Sequence, residues 1–112
     1  MEIKGKECEE VKIGEHTYYF ITKFKGKEYR VIQGMVYGQM NLDNKKDAKN
    51  MTVFLANIPM LFELLCLQID DGKTEVSGEF LDNLEMEDYD KVQERVLSGV
   101  TDFFTQIKQK KS

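Results

Sequence analysis

The first third of the chain alternates between short apolar runs and glycine-containing turns. The runs are residues 11–13, 16–24 and 28–33. Each is rich in β-branched and aromatic side chains, which is typical of strands, and turns this short are typical of hairpins. The pattern predicts an antiparallel three-stranded meander over residues 10–33. The polar residues 1–9 before it are expected to be mobile.

The middle run indicates which side of this meander faces the core. Successive side chains of a strand point to opposite faces, so every second residue lies on the same side. The more apolar side consists of Tyr18, Phe20, Thr22 and Phe24. It is the expected core side, and strands this short need a helix packed against them to be stable.

The apolar positions of segment 34–50 follow neither the two-residue period of a strand nor the three-to-four-residue period of a helix. It combines glycines and methionines with a polar cluster, and it predicts an irregular connection with room for one helical turn. From residue 51 the apolar positions recur every three to four residues, which is typical of a helix. These positions are Met51, Phe54 or Leu55, Ile58, Leu61 or Phe62, Leu65 and Ile69.

Pro59 interrupts this helical period in one of two ways. A proline inside a helix removes a hydrogen bond and kinks the helix, whereas a proline in the first turn is tolerated. Either one kinked helix crosses Pro59, or a first helix ends near Asn57 and a second begins at Pro59. The second arrangement is slightly favoured.

The last third opens with a turn and closes with the clearest helix. Residues 70–73 read Asp-Asp-Gly-Lys, which is typical of a turn, and the short segment 74–77 is compatible with an extended conformation. Gly99 lies inside the helix at a cost of about 1 kcal/mol relative to alanine, which indicates a close packing approach or a bend. The apolar positions of this helix are Met86, Tyr89, Val92, Val96, Val100, Phe103 or Phe104 and Ile107.

These elements predict one α+β domain over residues 1–112, with the N-terminal meander packed against C-terminal helices. A chain of 112 residues is long enough for one hydrophobic core and too short for two. The helical part is expected over residues 51–107, and residues 108–112 are expected to form a frayed tail.

Charge narrows the class of partner. The net charge is −4, and hydrophobic residues make up 41% of the chain, which is enough to fold within a charged surface. One stretch carries six acidic side chains and no basic one: Glu79, Asp82, Glu85, Glu87, Asp88 and Asp90. Such a stretch repels phosphate backbones, so nucleic acid is not an expected partner.

The sequence predicts a cytoplasmic protein with no membrane partner. The first ten residues lack the apolar run of a signal peptide, and no segment approaches the ~18 apolar residues that a membrane span needs. Cys8 lies in a charged stretch and Cys66 in an apolar one. They are expected to be free thiols, and Cys66 is expected to be buried.

Residues that carry catalysis or bind metals are sparse. His16 is the one histidine in the sequence, and nucleophilic catalysis would need it to pair with Cys8 or Cys66. The acidic loops lack the spacing of a calcium-binding loop, and no zinc-binding or phosphate-binding motif is present. The sequence therefore predicts no catalytic residue, no cofactor and no metal, which argues against an enzyme.

Binding to other proteins is the class that remains. The six methionines, seven phenylalanines and five tyrosines exceed what a core of this size requires, and methionine-rich surfaces adapt to several partners. An apolar helical face left uncovered by the meander would bind a second copy or a client segment. Some candidates must instead serve the core. The predicted protein-binding residues are Phe54, Leu61, Phe62, Leu65, Val96, Val100, Phe103 and Phe104.

Five short elements follow one another in the second half of the chain. They are the apolar segment Leu61–Ile69, the turn Asp71-Gly72 with Val76, the step Phe80-Leu81 with Leu84, the helix start Asp88-Tyr89 with Val92, and the pair Phe103-Phe104. This layout, over residues 50–107, resembles the tail assembly chaperones of long-tailed bacteriophages and related prophages. The resemblance implies a protein without an active site that coats the tape measure protein, keeps its apolar helices from aggregating and recruits tail tube subunits.

The main expectation is therefore a phage-type tail assembly chaperone that forms homo-oligomers in the host cytoplasm. Two alternatives stay open. A different structural or adaptor protein of a phage or mobile element, such as a tail or head–tail completion protein, would bind through the edge of the meander. A small regulatory or nucleic-acid-linked protein would use a basic patch of the meander: Lys23, Lys25, Lys27 and Arg30.

Overall fold

The computed structural model describes the backbone of residues 1–39 and 52–111, and the side chains of residues 1–35 and 54–106. Within these ranges the strands are β1 (Glu2–Ile3), β2 (Lys6–Ile13), β3 (His16–Ile21) and β4 (Cys66–Ile69). The helices are α1 (Gly26–Gln39), α2 (Thr52–Leu55), α3 (Ile58–Leu65), α4 (Gly78–Asp82) and α5 (Met86–Lys111). The predicted α+β class, with an N-terminal antiparallel sheet and C-terminal helices, is confirmed. None of the described helices is long and apolar enough to cross a membrane.

Two tight hairpins build the N-terminal part of the sheet. Lys4 and Gly5 both have positive φ angles, of 55° and 78°, as a two-residue hairpin turn between β1 and β2 requires. Gly14, with a φ of 60°, opens the turn between β2 and β3. The prediction that residues 1–9 are mobile is wrong, because the first hairpin extends the sheet through this polar segment.

The third predicted strand, residues 28–33, is instead part of helix α1. Glu28, Ile32 and Met35 are buried at spacings of four and three residues, which is helical. Oε1 of Glu28 accepts a hydrogen bond from the backbone N–H of Lys25, 2.9 Å away, and so satisfies one of the free donors at the helix start. The meander prediction is therefore corrected to two hairpins followed by a helix.

Pro59 lies in the first turn of α3, after the short helix α2. The favoured arrangement of two helices separated near Asn57 is confirmed. The predicted continuation of the helix to Ile69 is wrong, because Cys66 adopts an extended conformation (φ −95°, ψ 121°) and begins β4. The hydrogen bonds of these residues are made with β3, which is distant in sequence.

The sheet has the order β1-β2-β3-β4, and every neighbouring pair is antiparallel. Tyr19 pairs with Gln68 and Phe20 with Cys66, so Leu67 is an extra residue at a bulge. Strand β4 lies at one edge. Beyond β3, its described pairing is a single bridge between Ile69 and Thr74.

The core lies between one face of the sheet and the helices α3 and α5. Tyr18 and Phe20 are fully buried, as predicted, and their rings meet the edge of Phe62 in α3. Strand β3 ends at Ile21, however, so Thr22 is exposed rather than part of the core face.

Helix α5 confirms the predicted long C-terminal helix. Gly99 is buried, and a Cβ atom there would lie 3.2 Å from Cδ1 of Leu65 in α3. Of the two explanations for this glycine, the close packing approach is the one observed. The helix runs to Lys111 and so includes residues 108–111 of the predicted frayed tail, while residue 112 lies outside the described residues.

The predicted irregular connection over residues 34–50 is corrected for its first part, since residues 34–39 belong to α1. Its remainder, residues 40–50, lies outside the described residues, as do Met51 and the side chain of Ile107. Gly34 lies inside α1 at an exposed position, and a Cβ atom there would meet no atom within 4 Å among the described residues.

Candidate functional site

Most of the predicted protein-binding residues lie in the core. Seven are at most 3% exposed, and the eighth, Phe104, is half-buried. In the folded chain these seven side chains have almost no surface that a client could contact. The binding role of the eight predicted residues stays a prediction. The seven buried residues are Phe54, Leu61, Phe62, Leu65, Val96, Val100 and Phe103.

Aromatic contacts explain why these helix faces are covered. The ring of Phe62 stacks on that of Phe80 in the α4 segment, with centroids 6.1 Å apart and an interplanar angle of 8°. The Phe54 ring meets the Phe104 ring edge-on at 6.0 Å, and Phe103 is met by Phe24 at 5.4 Å. The apolar faces of α2, α3 and α5 are thus covered by aromatic side chains of neighbouring segments.

An open groove of about 530 Å³ runs beside β4. Its lining combines residues of β4 with apolar and charged side chains of other segments. We call it the β4 groove, and its lining residues are Lys4, Lys6, Lys27, Glu63, Leu64, Cys66, Leu67, Gln68, Gly72, Thr74, Glu75 and Val76.

The groove brings together residues from both ends of the sheet order. Lys4 and Lys6 belong to the β1–β2 hairpin, whereas Cys66, Leu67 and Gln68 belong to β4, and β3 lies between β2 and β4 in the sheet. Lys27 on α1 and residues of the segment after β4 complete the lining.

A tight turn after β4 forms one end of the groove. Asp70 and Gly72 have positive φ angles of 53° and 90°, and Gly72 donates its N–H to the carbonyl of Ile69. The side-chain amide of Gln68 donates to the carbonyl of Asp70 at 2.9 Å. The Asp-Asp-Gly-Lys turn predicted from the sequence is confirmed, and it directs Thr74 back to β4.

The groove lining carries charges of both signs. The basic side chains are Lys4, Lys6 and Lys27, and the acidic side chains are Glu63 and Glu75. Lys6 is paired within the chain, because its Nζ lies 3.0 Å from Oε2 of the fully buried Glu28. Lys4 and Lys27 are exposed, so their charge faces solvent at the groove.

The two cysteines are free thiols, and both are buried. Cys66 was expected to be buried, whereas burial of Cys8 was not foreseen, because its neighbours in sequence are charged. Burial raises the pKa of the Cys66 thiol to about 11, and it also raises the pKa of Cys8. Both therefore stay protonated near neutral pH, which leaves them poor nucleophiles.

A second polar cluster joins the β3 start to the turn after β4. Nδ1 of His16 lies 2.7 Å from Oδ2 of Asp70, and the backbone N–H of Thr17 donates to Oδ1 of Asp70 at 2.8 Å. The hydrogen bond from His16, followed by that from Thr17, lowers the pKa of Asp70. This pair fixes the turn at the groove end.

The His16–Asp70 pair does not form a metal site. Among residues 1–35 and 54–106, no group of three or more histidine, cysteine, aspartate or glutamate side chains is placed to hold a metal ion. The hydroxyl of the neighbouring Tyr18 is buried without a described hydrogen-bond partner. Burial, and then the charge of Asp88, raises the pKa of Tyr18 to about 12.

Exposed apolar side chains outside the core are spread over several elements. Leu55 and Met60, both more than two-fifths exposed, lie on the helices α2 and α3 that lead to the groove. Met86 is 86% exposed at the start of α5, and Tyr29 is 42% exposed on α1. Scattered exposure of this kind is ordinary for a folded domain.

One part of the groove was predicted from the sequence, namely the turn at Asp71-Gly72. Its other residues come from β1–β2, α1, α3 and β4, and no spacing in the sequence relates them. Comparison with known proteins does not assign the chain to a family: no family model, no curated protein and no solved structure matches it.

Proposed function

We propose that this protein acts by binding a segment of another protein in the β4 groove. The observation that carries the proposal is an open groove of about 530 Å³ beside β4, lined by apolar residues and by charged side chains of both signs. Such a groove offers burial for apolar side chains and fixes the orientation of a segment through its charges.

The tail assembly chaperone role implied by the sequence resemblance is the specific form that we propose. The client is then a segment of the tape measure protein, and tail tube subunits are further partners. The layout of residues 61–104 supports this form. Since the apolar helix faces serve the core, we propose that the client is held in the groove instead of on those faces.

The experiment is a selection of binders from a displayed library of random short peptides, followed by affinity measurements on groove variants. We expect the selected peptides to bind the wild-type chain and to lose about tenfold or more in affinity for Val76→Asp. Val76 is half-buried in the groove lining and packs against the border of the core, so a carboxylate there removes apolar contact from the groove.

Met86→Asp is the matched control, because Met86 is apolar, 86% exposed and outside the groove lining. It should bind the selected peptides as the wild-type chain does. A selection that enriches no peptide, or peptides that bind Val76→Asp and Met86→Asp equally well, would contradict the proposal. Circular dichroism of both variants checks that the fold is retained.

A further inference from the structure

We infer, building on the proposed function, that the client is a protein segment with acidic side chains next to the apolar ones that enter the β4 groove. Its carboxylates bind three exposed lysines, Lys4, Lys25 and Lys27, which we call the lysine cluster. The inference names the chemistry of the client, which the proposed function leaves open. It also adds a contact outside the groove lining, at Lys25.

The turn between β1 and β2 meets the start of α1, and two contacts hold them together. Nζ of Lys25 donates a hydrogen bond to the carbonyl of Gly5 over 3.4 Å. Nζ of Lys6 lies 3.0 Å from Oε2 of Glu28, which is buried in α1. Segments that are distant in sequence therefore form one corner of the fold.

The lysine cluster belongs to this corner. Lys4 and Lys27 both line the β4 groove. Lys25 is not part of the lining, but its side chain reaches Gly5, the residue that follows Lys4. A segment that lies in the groove and continues past the turn between β1 and β2 would meet all three ammonium groups.

The charge of the lysine cluster is not neutralised within the part of the chain that the structure describes. Lys6 is paired with Glu28, but no ion pair among residues 1–35 and 54–106 includes a member of the cluster. All three side chains are exposed, and like charges at close range repel one another. Carboxylates of a partner would relieve this repulsion.

Apolar side chains lie in the same groove as two of the lysines. Leu64 and Val76 are half-buried in the lining, and Leu67 contributes to it as well. Apolar contacts supply affinity, and charges at their border fix the orientation of the bound segment. The client therefore combines apolar and acidic side chains within one short segment.

The surrounding acidic residues favour a protein segment over a larger polyanion. Glu2 and Glu7 are exposed directly opposite each other on the β1–β2 hairpin, and Glu63 and Glu75 line the groove. Nucleic acids and anionic membranes present negative charge over their whole surface, so they would meet these glutamates as well as the lysines. A segment with a few carboxylates can contact the lysine cluster alone.

The test measures how one peptide selected on the wild-type chain binds to Lys25→Glu. We expect the affinity to fall several-fold, and to fall similarly when the acidic residues of the peptide are replaced by their amides. Both losses should shrink as salt is added, because exposed charges are screened over about 10 Å at 0.1 M salt. Lys25→Gln, which removes the charge without reversing it, should give a smaller loss in the same direction.

Lys12→Glu is the matched control, because it makes the same change in net charge at another exposed lysine. Lys12 pairs with Thr17 in the sheet and is outside the groove lining. It should leave the affinity unaltered, and circular dichroism checks that each variant is folded. Equal losses for Lys25→Glu and Lys12→Glu would overturn the assignment of the lysine cluster.

The class of partner is tested with a short DNA duplex and with phosphatidylserine vesicles at the same salt concentration. We expect both to bind the wild-type chain at least about tenfold more weakly than the selected peptide does. Tighter binding of either probe that depends on Lys25 would show a phosphate-bearing partner and overturn the inference.

The outcomes separate this inference from the proposed function. If a peptide is sensitive to Val76→Asp but not to Lys25→Glu or Lys25→Gln, the groove binds a segment and the acidic chemistry is wrong. If no peptide is sensitive to Val76→Asp, the proposed function itself fails.

Discussion

Nζ of Lys6 lies 3.0 Å from Oε2 of Glu28, whose side chain is fully buried while that of Lys6 is 23% exposed. The other carboxylate oxygen of Glu28 accepts the N–H of Lys25 at the start of α1. The pair therefore joins β2 to α1 and places a buried charge between them. A buried carboxylate is stable only while its partners remain, because desolvation of an unpaired charge is costly.

Removal of the Lys6 ammonium should destabilise the fold. Lys6→Met leaves the buried Glu28 without its cation, and since Lys6 is partly exposed we expect a loss of about 2 kcal/mol in the free energy of unfolding. Chemical denaturation of the variant measures it. Lys12→Met, a change at an exposed lysine of the same strand, is the control and should cost less than about 0.5 kcal/mol. Equal losses for the two variants would contradict a structural role of the pair.

The His16–Asp70 pair should make stability depend on acid pH. The pKa of Asp70 is lowered in the folded chain, so its stabilising contribution is complete above the ordinary aspartate pKa of about 4 and is lost as the pH falls through the lowered value. We expect Asp70→Asn to cost about 1 kcal/mol near pH 6, because the pair is partly solvent-exposed. Thermal or chemical unfolding across the acid range measures the difference.

Asp102→Asn is the control for this pH dependence, because Asp102 is exposed on α5. Its unfolding free energy should parallel that of the wild-type chain at every pH. The difference in unfolding free energy between the wild-type chain and Asp70→Asn should decrease toward zero at the lowest pH at which the fold persists. A gap that stays constant with pH would show that the Asp70 carboxylate is not the titrating group.

Gly99 should resist replacement although it lies inside a helix. Alanine there gains helix propensity, but its Cβ would lie 3.2 Å from Cδ1 of Leu65 and 3.3 Å from Nη1 of Arg95. Since Leu65 is only 1% exposed and cannot move freely, we expect overpacking to prevail and Gly99→Ala to destabilise by about 1 kcal/mol.

The same substitution at Gly34 should stabilise the fold. Gly34 lies in α1, and a Cβ there meets no atom within 4 Å among the described residues. We expect a gain of about 0.5–1 kcal/mol in the free energy of unfolding, from helix propensity alone. Stabilisation by both substitutions would contradict the close approach of α3 and α5 at Gly99.

The Cys66 thiol should react slowly in the folded chain. With a pKa of about 11, its thiolate fraction at pH 8 is roughly 100-fold below that of a thiol with the ordinary value of 9.0. In Cys8→Ser, which leaves Cys66 as the one thiol of the sequence, labelling by a disulfide reagent should be slower than in urea by at least this factor. Rates that match with and without urea would show that Cys66 is exposed.

The sequence predicts best the elements that depend on local pattern. Helix α5 keeps its apolar period over many turns, Pro59 marks a helix start, and the alternation in β3 identifies Tyr18 and Phe20 as core residues. Each of these features follows from residues close together in the chain, so a period of 3.6 or 2 is enough to recognise them.

Elements that depend on distant partners were predicted wrongly. Residues 28–33 have β-rich composition, yet Glu28 meets Lys6 and Lys25, and the run extends into a helix through Ile32. Residues 66–69 continue the apolar period of α3, but pairing with β3 makes them a strand. Neither contact is encoded within the run itself.

The groove could not be derived from the sequence because its lining comes from separate segments. Lys4 and Lys27 come from the N-terminal part of the chain, and Glu63 and Glu75 come from the segments before and after β4. Sequence reasoning instead selected apolar helix faces, which are the same residue types that a core uses. The helix faces pack within the core, and the open groove lies beside β4 instead.

The most direct test of the central claim is to map where a selected peptide contacts the protein, by amide chemical shifts in two-dimensional NMR spectra. The account predicts that the largest changes fall on residues 66–68, 72 and 74–76, which line the β4 groove. Changes confined to the exposed side chains of α2, α3 or α5, such as Leu55, Met60 and Met86, with β4 unaffected, would contradict it.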